Sequence, residues 1–228
     1  MGRQPNVAID GLAASGKTTV ARQLAERLGL FYLDTGLMYR CVALEWLRSG
    51  AAGGVGELHP EKILAELDLV IRAETGPPPS CRMLLRGEDV TDQLHDPLIS
   101  RNVARVAAES SVRRDMVRRQ QEFARQGGVV MVGRDIATVV IPDAEVKLFL
   151  VADLDERARR RLAELGPSCT TSLQELTDDL AIRDKIDTER EDSPLICVAE
   201  AHRVDTTSLT PDQVLERLAS LVVATQVA

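Results

Sequence analysis

The glycine-rich segment at residues 11–18 constrains this chain more than any other stretch. It reads Gly-Leu-Ala-Ala-Ser-Gly-Lys-Thr and fits the pattern G-x-x-x-x-G-K-[ST], whose backbone N–H groups cradle phosphates. A short apolar run at 7–10 precedes it, and apolar residues within 19–28 recur at the spacing of one helix face before Gly29 ends the helix. Strand, loop and helix therefore stand in the order that a phosphate-binding loop needs. We predict that the chain binds a nucleoside triphosphate.

The residues of this loop have different expected roles. Lys17 is expected to reach the β- and γ-phosphates, and the Thr18 hydroxyl is expected to ligate Mg²⁺. A chance match in a loop that only turns a corner is the alternative, and the flanking strand and helix argue against it. The predicted nucleotide-binding residues are Gly11, Leu12, Ala13, Ala14, Ser15, Gly16, Lys17, Thr18 and Thr19.

Composition excludes several classes of protein. The 228 residues suffice for one α/β domain with an insertion or for two small domains, and the net charge of −7 argues against a broad nucleic-acid surface. No apolar run approaches the roughly 18 residues of a membrane span, and residues 1–6 carry no apolar core of a secretory signal. We expect a cytoplasmic enzyme that binds neither a membrane nor a nucleic-acid polymer. The cysteines lack C-x-x-C spacing and are expected to be reduced thiols: Cys41, Cys81, Cys169 and Cys197.

Strand and helix patterns alternate after the loop, which predicts an α/β domain with a parallel sheet covered on both faces. The strand patterns lie at 31–33, 129–132, 146–151 and 201–204, and the main helical patterns lie at 37–48, 61–67, 97–126 (two helices), 154–165, after 172 and after 210. The predicted helix caps are Ser110 or Ser111, Asp153, Ser172 with Glu175, and Thr210 with Gln213.

Residues 68–92 depart from this alternation. Strand patterns at 69–72 and 81–86 flank turn residues at 75–79, and a second turn at 87–88 precedes a short segment at 89–91. This spacing predicts a small antiparallel meander inserted into the α/β body.

Arginines at the strand ends indicate which chemistry the loop serves. The N-K-x-D and D-x-x-G elements of GTP-dependent switches are absent from the sequence, and the strand at 129–132 exits into Arg134 where motor ATPases place an aspartate. Strand ends of such a sheet face the ligand crevice, where an arginine meets an anion. Arg40 follows the second strand, and Arg183 and Arg190 are spaced to share a helix face with Asp187. Together they predict clamps on an acceptor phosphate and on the moving γ-phosphoryl group, whereas each alone could be a solvated surface residue.

Four segments of the chain resemble the bacterial cytidylate kinase family: V-A-I-D-G-L-A-A-S-G-K-T-T, L-D-T-G-L-M-Y-R, G-R-D-I-A-T-V-V-I-P-D-A and R-D-K-I-D-T-E-R-E-D-S-P-L. The order and spacing match from residue 7 to about 223, and the last two segments are far more specific than the phosphate loop. The resemblance implies transfer of the γ-phosphoryl group of ATP, with Mg²⁺, to CMP or dCMP. It implies a P-loop NTPase three-layer fold with a central parallel sheet of about five strands, an antiparallel insertion that binds the nucleoside monophosphate, and a short lid. We expect a monomer.

The resemblance also divides the chain. Residues 1–67 and 93–228 would form the kinase core, with the lid at about 153–190. Residues 68–92 would form the monophosphate-binding insertion, to which flanking helices up to about residue 126 contribute.

The resemblance implies a role for each candidate side chain. Arg40, Arg134 and Arg190 would bind the acceptor phosphate. Arg183 and Asp187 would lie near the ribose, with Arg183 also close to the transferring group. The residues expected to contact substrate are Thr35, Arg40, Arg113, Arg134, Asp135, Arg183, Asp187 and Arg190, and those expected to be catalytic are Lys17, Arg134, Arg183 and Arg190.

Cytosine recognition is implied for Arg113 and Asp135. Cytosine offers an amino donor at N4, which a carboxylate accepts, and acceptors at N3 and O2, to which a guanidinium donates. A salt bridge between Asp135 and a neighbouring arginine is the structural alternative. The sequence departs from the family at Ala104, where a base-contacting serine is common, and Asn102 or water is a possible substitute.

Two other functions remain open from the sequence. The nearer is another small-molecule kinase on the same scaffold, acting on UMP, AMP or a metabolite. The farther is a non-catalytic, nucleotide-gated binding module.

Overall fold

A computed structural model of the chain describes residues 4–50, 56–74, 80–166 and 170–227. The strands are β1 (Val7–Gly11), β2 (Phe31–Asp34), β3 (Leu69–Glu74), β4 (Ser80–Leu85), β5 (Glu88–Asp89), β6 (Val129–Val132), β7 (Val146–Val151) and β8 (His202–Asp205). The helices are α1 (Lys17–Leu28), α2 (Thr35–Arg48), α3 (Pro60–Glu66), α4 (Pro97–Ala107), α5 (Ser110–Ala124), α6 (Leu154–Leu165), α7 (Leu173–Glu189) and α8 (Pro211–Val227). A 3-10 helix, Thr91–His95, precedes α4, and a π-helical turn, Ile136–Val140, follows β6.

Five strands form the central sheet in the order β2-β6-β1-β7-β8, and every neighbouring pair is parallel. The phosphate-loop strand β1 therefore has a partner on each side. Because its side chains alternate between the two faces, both faces must be covered by apolar helices. The predicted α/β architecture with a central parallel sheet is confirmed.

Each face of the sheet has its own core. Val7 and Ile9 of β1 pack in a cluster with apolar residues of α1 and α8, while Ala8 belongs to a second cluster formed with α2, α4 and α5. Trp46 of α2 is the largest fully buried side chain and lies in the second cluster. The result is the expected three-layer arrangement of helix, sheet and helix.

The insertion is a separate antiparallel sheet in the order β3-β4-β5, as predicted. Met83 and Leu85 of β4 are fully buried in the same core cluster as α2, so this sheet packs on the body of the domain. The predicted second turn is one residue out of place: Arg86 and Gly87 both have positive φ, and β5 begins already at Glu88. The predicted turn at 75–79 lies outside the described residues.

Local capping signals were correct where both partners lie within a few residues. Ser172 and Glu175 form the predicted reciprocal capping box at α7, and Thr210 and Gln213 exchange hydrogen bonds at the start of α8. The prediction of a serine cap for α5 was wrong. Glu109 occupies the cap position, and the hydroxyl of Ser110 donates instead to Asp192, which is distant in sequence.

The predicted cap of α6 has the expected position but not the expected side-chain hydrogen bond. Asp153 is the N-cap residue, but its side chain makes no capping hydrogen bond. Its backbone N–H donates to the hydroxyl of Thr207, 3.0 Å away, so the start of α6 is tied to the segment after β8.

Two further expectations concern membranes and thiols. Within the described ranges, no helix combines the length and apolarity needed to cross a bilayer. Cys41, Cys81 and Cys197 are free thiols, and Cys169 lies outside the residues that the structure describes.

Gly11 and Gly29 provide a test of why the phosphate loop begins with glycine. Both have positive φ, but a Cβ on Gly11 would lie 2.0 Å from the Leu150 carbonyl oxygen, whereas a Cβ on Gly29 would meet nothing within 4 Å. Gly29→Ala is therefore expected to cost only the strain of a left-handed alanine, about 1–2 kcal/mol. Gly11→Ala is expected to cost a further 1–3 kcal/mol, roughly, from the steric clash in β1. Urea denaturation measures both variants, and equal losses would contradict the close approach of β7.

Candidate active site

The phosphate loop lies where β1 ends and α1 begins. Ala14 and Gly16 have positive φ, and α1 starts at Lys17, two residues before the helical pattern in the sequence. Gly16 is the cap position of α1 and makes no side-chain cap, so the helix terminus is left for an anion to satisfy.

Lys17 is buried inside this loop. Its Nζ donates to the carbonyl of Gly11 at 2.8 Å, to the hydroxyl of Ser15 at 3.2 Å and to the carbonyl of Leu12. Burial lowers the pKa of Lys17 well below its ordinary value, and the nearby Arg134 cation lowers it further. The charges of Asp10 and Asp34 raise this pKa, and a bound anion would stabilise the charged form in the same way. These contacts agree with the expected phosphate-binding role.

Thr18 faces a carboxylate that the sequence analysis did not assign. The Thr18 hydroxyl is exposed, and its oxygen lies 3.4 Å from Oδ2 of Asp34 at the end of β2. The other carboxylate oxygen, Oδ1, accepts the N–H of Gly36 at 2.9 Å and caps α2. The signal available in the sequence was the position of Asp34 directly after the strand pattern at 31–33.

The exit of β6 is packed against the start of α2. The Thr35 hydroxyl donates to the Val132 carbonyl at 2.8 Å, and a Cβ on Gly133 would lie 2.8 Å from that hydroxyl oxygen. Thr35 is 3% exposed. Its hydroxyl therefore joins β2 and β6 beneath the segment that carries Arg134 and Asp135.

Arg113 and Asp135 form a buried ion pair. The two side chains are 5% and 7% exposed, and the guanidinium lies 5.5 Å from the centroid of the Tyr39 ring. Arg113 also donates to the carbonyl of Ala107 at 3.3 Å, while its Nε has no hydrogen-bond partner among the described residues. The two residues expected to contact cytosine are thus brought together, and the Nε–H of Arg113 is left as a hydrogen-bond donor.

Arg134 and Arg190 share the carboxylate of Asp187. Arg134 Nε donates to Asp187 Oδ2 at 2.8 Å, and Arg190 Nη1 lies 3.7 Å from Oδ1. Arg190 is the C-cap residue of α7, and its backbone N–H still donates to the Ile186 carbonyl, so it lies at the end of the helix face that carries Asp187. Its Nε donates to the carbonyl of Ser193 at 2.7 Å, and its buried Nη2 has no partner among the residues described.

Arg183 and Arg40 complete a group of arginines near Lys17. This group, called the cation cluster below, consists of Arg40, Arg134, Arg183 and Arg190. Arg183 is an exposed residue of α7, but burial of its guanidinium end, followed by the charges of Arg134 and Arg40, lowers its pKa to about 10. It remains a cation at neutral pH. Arg40 donates to the Leu94 carbonyl at 2.9 Å and to the Ser100 hydroxyl at 2.7 Å. Burial lowers the pKa of Arg40 as well.

Two arginines of α6 have different partners. Arg157 is 4% exposed and donates to the carbonyls of Ala152 and Ala13, at 2.9 and 3.2 Å, while pairing with Asp184 at 2.7 Å. Arg160 donates to the Thr206 carbonyl at 2.6 Å.

Two further arginines of α6, Arg159 and Arg161, pair with carboxylates of the same helix. Arg159 is exposed and pairs with Glu156. Arg161 pairs with Glu164 at 3.0 Å and lowers the pKa of both Arg40 and Arg183 through its charge, so it belongs to the edge of the cation cluster.

Asn102, the suggested substitute for a base-contacting serine, makes a hydrogen bond within its own helix. The Asn102 amide donates to the Leu98 carbonyl one turn earlier in α4, at 2.8 Å, and Ala104 lies on an exposed part of the same helix. Positions two apart on a helix are separated by about 200°, so these two side chains do not share a face.

The arrangement fits anions better than a protein-held metal. No group of three or more metal-ligating side chains occurs within the described part of the chain. Cations outnumber carboxylates in the cleft, and their mutual lowering of pKa is relieved when phosphate oxygens enter. A phosphate loop at the end of the central strand, facing an arginine cluster on helices above it, defines a phosphotransferase of the P-loop kinase class.

Sequence comparison identifies the family within this class. A profile of the cytidylate kinase family matches residues 7–224, so the chain belongs to the cytidylate kinase family. It is 43% identical to cytidylate kinase from Geobacillus kaustophilus, covering 97% of this chain and 98% of the relative, and 42% identical to that from Pelotomaculum thermopropionicum, covering 96% of each. An uncharacterized protein from Eubacterium ventriosum has the same fold, with a TM-score of 0.50 and 13% identity over 97% of this chain and 99% of that one.

Asp187→Asn tests the ion pairs of the cleft. Burial raises the pKa of Asp187, but Arg134 by charge and hydrogen bond, then Arg183 and Arg190, outweigh it and hold the pKa below its ordinary value of 3.8. A depressed folded-state pKa stabilises the fold above the unfolded pKa, and that stabilisation is lost as pH falls through the folded value. We expect the variant to lose about 1–3 kcal/mol at neutral pH and the loss to shrink below about pH 4.

Urea denaturation between pH 3 and pH 8 measures this difference. Asp178→Asn is the matched control, since Asp178 is exposed on the same helix and, within the ranges that the structure describes, accepts a hydrogen bond from Gln174 alone. It is expected to change stability by less than about 0.5 kcal/mol. A loss for Asp187→Asn that grows as the pH falls would contradict the assigned pairing.

Proposed function

We propose that this member of the cytidylate kinase family transfers the γ-phosphoryl group of ATP to CMP and dCMP, giving CDP and dCDP. The observation that carries the proposal is that Arg134 and Asp135, which have different partners, are consecutive residues. One residue belongs to the cation cluster facing Lys17, and the next belongs to the buried pair with Arg113. A base reader and a phosphate binder on adjacent residues suit a nucleoside monophosphate placed opposite the phosphate loop.

Base recognition is proposed for Asp135 and Arg113. The carboxylate would accept from cytosine N4, and the guanidinium would donate to N3 or O2. Uracil presents a carbonyl where cytosine has its amino group, so it would face the carboxylate and leave buried polar groups unpaired. Tyr39 packs against Arg113 and helps to fix the plane of the guanidinium. Ala104 supplies no hydrogen bond to the base.

Phosphoryl transfer requires no general base here, because the attacking oxygen of the monophosphate is already ionised near neutral pH. Lys17 and the arginines of the cleft align the two nucleotides and stabilise charge on the transferring group. Arg40, Arg134 and Arg190 are proposed to bind the acceptor phosphate. Arg183 is proposed to lie closest to the group in transit, with Asp187 holding Arg134 and Arg190 in place.

Thr18 and Asp34 are proposed to hold Mg²⁺ with the donor nucleotide. The exposed Thr18 hydroxyl and the partly exposed carboxylate lie 3.4 Å apart, and oxygen ligands of this kind suit a magnesium ion that keeps several waters. The ion would neutralise negative charge on the donor nucleotide.

The division of the chain is part of the same proposal. Residues 68–92 would form the monophosphate-binding insertion, and residues 153–190, which include the α6 and α7 pair, would form the lid. Lid contacts with the phosphate loop through Arg157 favour a site from which water can be excluded during transfer. We propose further that the enzyme acts as a cytoplasmic monomer on free nucleotides.

The test is a coupled assay of ADP formation with CMP, dCMP, UMP and AMP as acceptors. The proposal expects CMP and dCMP to be used with the highest kcat/KM. Preference for UMP or AMP would assign the chain to another acceptor class, and the absence of a nucleoside diphosphate from every acceptor would favour a non-catalytic module.

Arg183→Ala is expected to lower kcat by about 10²–10³, because it removes one charge-stabilising donor from the transferring group. Steady-state kinetics with CMP and ATP measure the change. Arg159→Ala is the control, since Arg159 lies on the lid helix and is exposed with a single carboxylate partner. It is expected to retain activity within about twofold. A loss below threefold for Arg183→Ala would remove it from the catalytic residues.

Asp135→Asn is expected to reduce the preference for CMP over UMP, measured as a ratio of kcat/KM values, by about 10- to 100-fold. An amide offers both a donor and an acceptor, so it opposes the uracil carbonyl less than a carboxylate does. Thermal unfolding must accompany the assay, because Arg113 loses its buried partner. An unchanged ratio in a folded variant would exclude Asp135 from base discrimination.

A further inference from the structure

Asp10 is a carboxylate in the middle of the central sheet. It is the fourth residue of β1, its side chain is 0% exposed, and its strand has a partner on both sides. The preceding residues of the strand, Val7, Ala8 and Ile9, are all apolar. Burying an ionisable side chain at such a position is costly unless specific partners hold it.

The partners of Asp10 are two backbone N–H groups of the π-helical turn. Oδ1 accepts from Ile136 at 2.9 Å, and Oδ2 accepts from Ala137 at 2.8 Å. The turn itself is closed by later bonds, among them the one from the Ile141 N–H to the Ile136 carbonyl at 2.8 Å. The first N–H groups of a helical segment have no acceptor within the segment, and a carboxylate from β1 supplies both.

The turn begins immediately after the segment 133–135. Arg134 of this segment belongs to the cation cluster, and Asp135 pairs with Arg113. On its other side, Asp10 is adjacent to Gly11, whose carbonyl accepts from Lys17 at 2.8 Å. Asp10 thus connects the strand that carries the phosphate loop to the backbone that carries the proposed acceptor-binding side chains.

We propose that Asp10 is a positioning residue: its carboxylate fixes the backbone at Ile136 and Ala137, and thereby holds Arg134 and Asp135 in register with the phosphate loop. Transfer between two nucleotides requires their reacting atoms to be aligned, and a displacement of about 1 Å can cost about 10²-fold in rate. An isosteric amide supplies only one acceptor oxygen and turns an NH₂ donor toward a backbone donor. The inference rests on the proposed function.

The ionisation of Asp10 distinguishes a role in positioning the active site from a role in stabilising the fold. Burial raises its pKa to about 6. The Asp135 carboxylate also raises it, whereas the two N–H groups and Lys17 lower it. The charge of Asp10 also raises the pKa of the Cys197 thiol, although burial is the larger cause of that shift. A folded-state pKa above the unfolded value means that ionising Asp10 reduces stability as the pH rises from about 4 to 6. The ionised carboxylate therefore does not add to stability at neutral pH relative to its neutral form.

The experiment compares the full-length wild-type protein with Asp10→Asn. At pH 7.5 we expect kcat/KM for CMP to fall about 10- to 100-fold, with the KM for ATP changing less than threefold and the urea midpoint close to that of the wild type. The ratio of wild-type to variant kcat/KM is expected to fall toward one between pH 7.5 and pH 5, since protonation removes the charge that the variant lacks. The ratio cancels the titration of the nucleotide phosphates.

Glu45→Gln is the matched control. Glu45 is a buried carboxylate that pairs with Arg86 at 2.9 Å, outside the proposed active site. It is expected to keep kcat/KM within about twofold at every pH. A loss of kcat/KM below threefold for Asp10→Asn, or a ratio independent of pH, would overturn the proposal.

A second measurement needs no variant and no catalysis. In the wild-type protein, NMR should show the amide protons of Ile136 and Ala137 protected from exchange at neutral pH and shifting with a common midpoint near pH 6. Amide exchange rates and chemical shifts that do not change with pH would overturn the role of Asp10, even if Asp10→Asn failed to fold. If the wild-type protein does not phosphorylate CMP, the proposed function fails while these amide signals still decide the contact.

Discussion

Arg134 lowers the pKa of Lys17 on one side and of Arg183 on the other, so a single guanidinium is close enough to repel cations of both the phosphate loop and the lid. Only a few carboxylates, above all Asp187, offset this charge. The unliganded cleft therefore carries electrostatic repulsion that phosphate oxygens can relieve. Binding of two anionic nucleotides, which would repel one another in water, is favoured in this cleft because it is built from fixed cations.

Sheet topology explains why these charges meet. The strands β1, β6 and β2 are parallel neighbours, so the phosphate loop, the segment 133–135 and Asp34 all leave the sheet at the same edge. Helix α7 then approaches this edge from a different part of the chain and adds Asp187. The order of strands thus converts separate motifs into one site without requiring any of them to be adjacent in sequence.

Predictions from the sequence were most accurate where the physical cause is local. The phosphate loop, the alternating strands and helices, and the capping box of Ser172 with Glu175 depend on residues close in sequence, and the structure agrees with them. Errors arose where distant residues compete for the same group. Ser110 looked like a helix cap, but its hydroxyl is taken by Asp192, 82 residues away. The positions of the arginines could be predicted, but their partners could not, because long-range pairing is not encoded in spacing.

The contacts of Arg157 limit how the proposed lid can move. This buried guanidinium joins the phosphate loop, the end of β7 and helix α7 through Ala13, Ala152 and Asp184. Leu176 and Leu180 of α7 add apolar contacts to the same loop residue, Ala13. The base of the helix pair is therefore part of the core, and a rigid rotation of α6 and α7 together would break the hydrogen bond from Arg157 to the Ala13 carbonyl and expose apolar surface. Closure of the proposed lid over nucleotides is then easiest to achieve by the side chains of Arg183 and Arg161, which lie beyond this anchor, so that charge can be brought to the site while the backbone stays fixed to the loop.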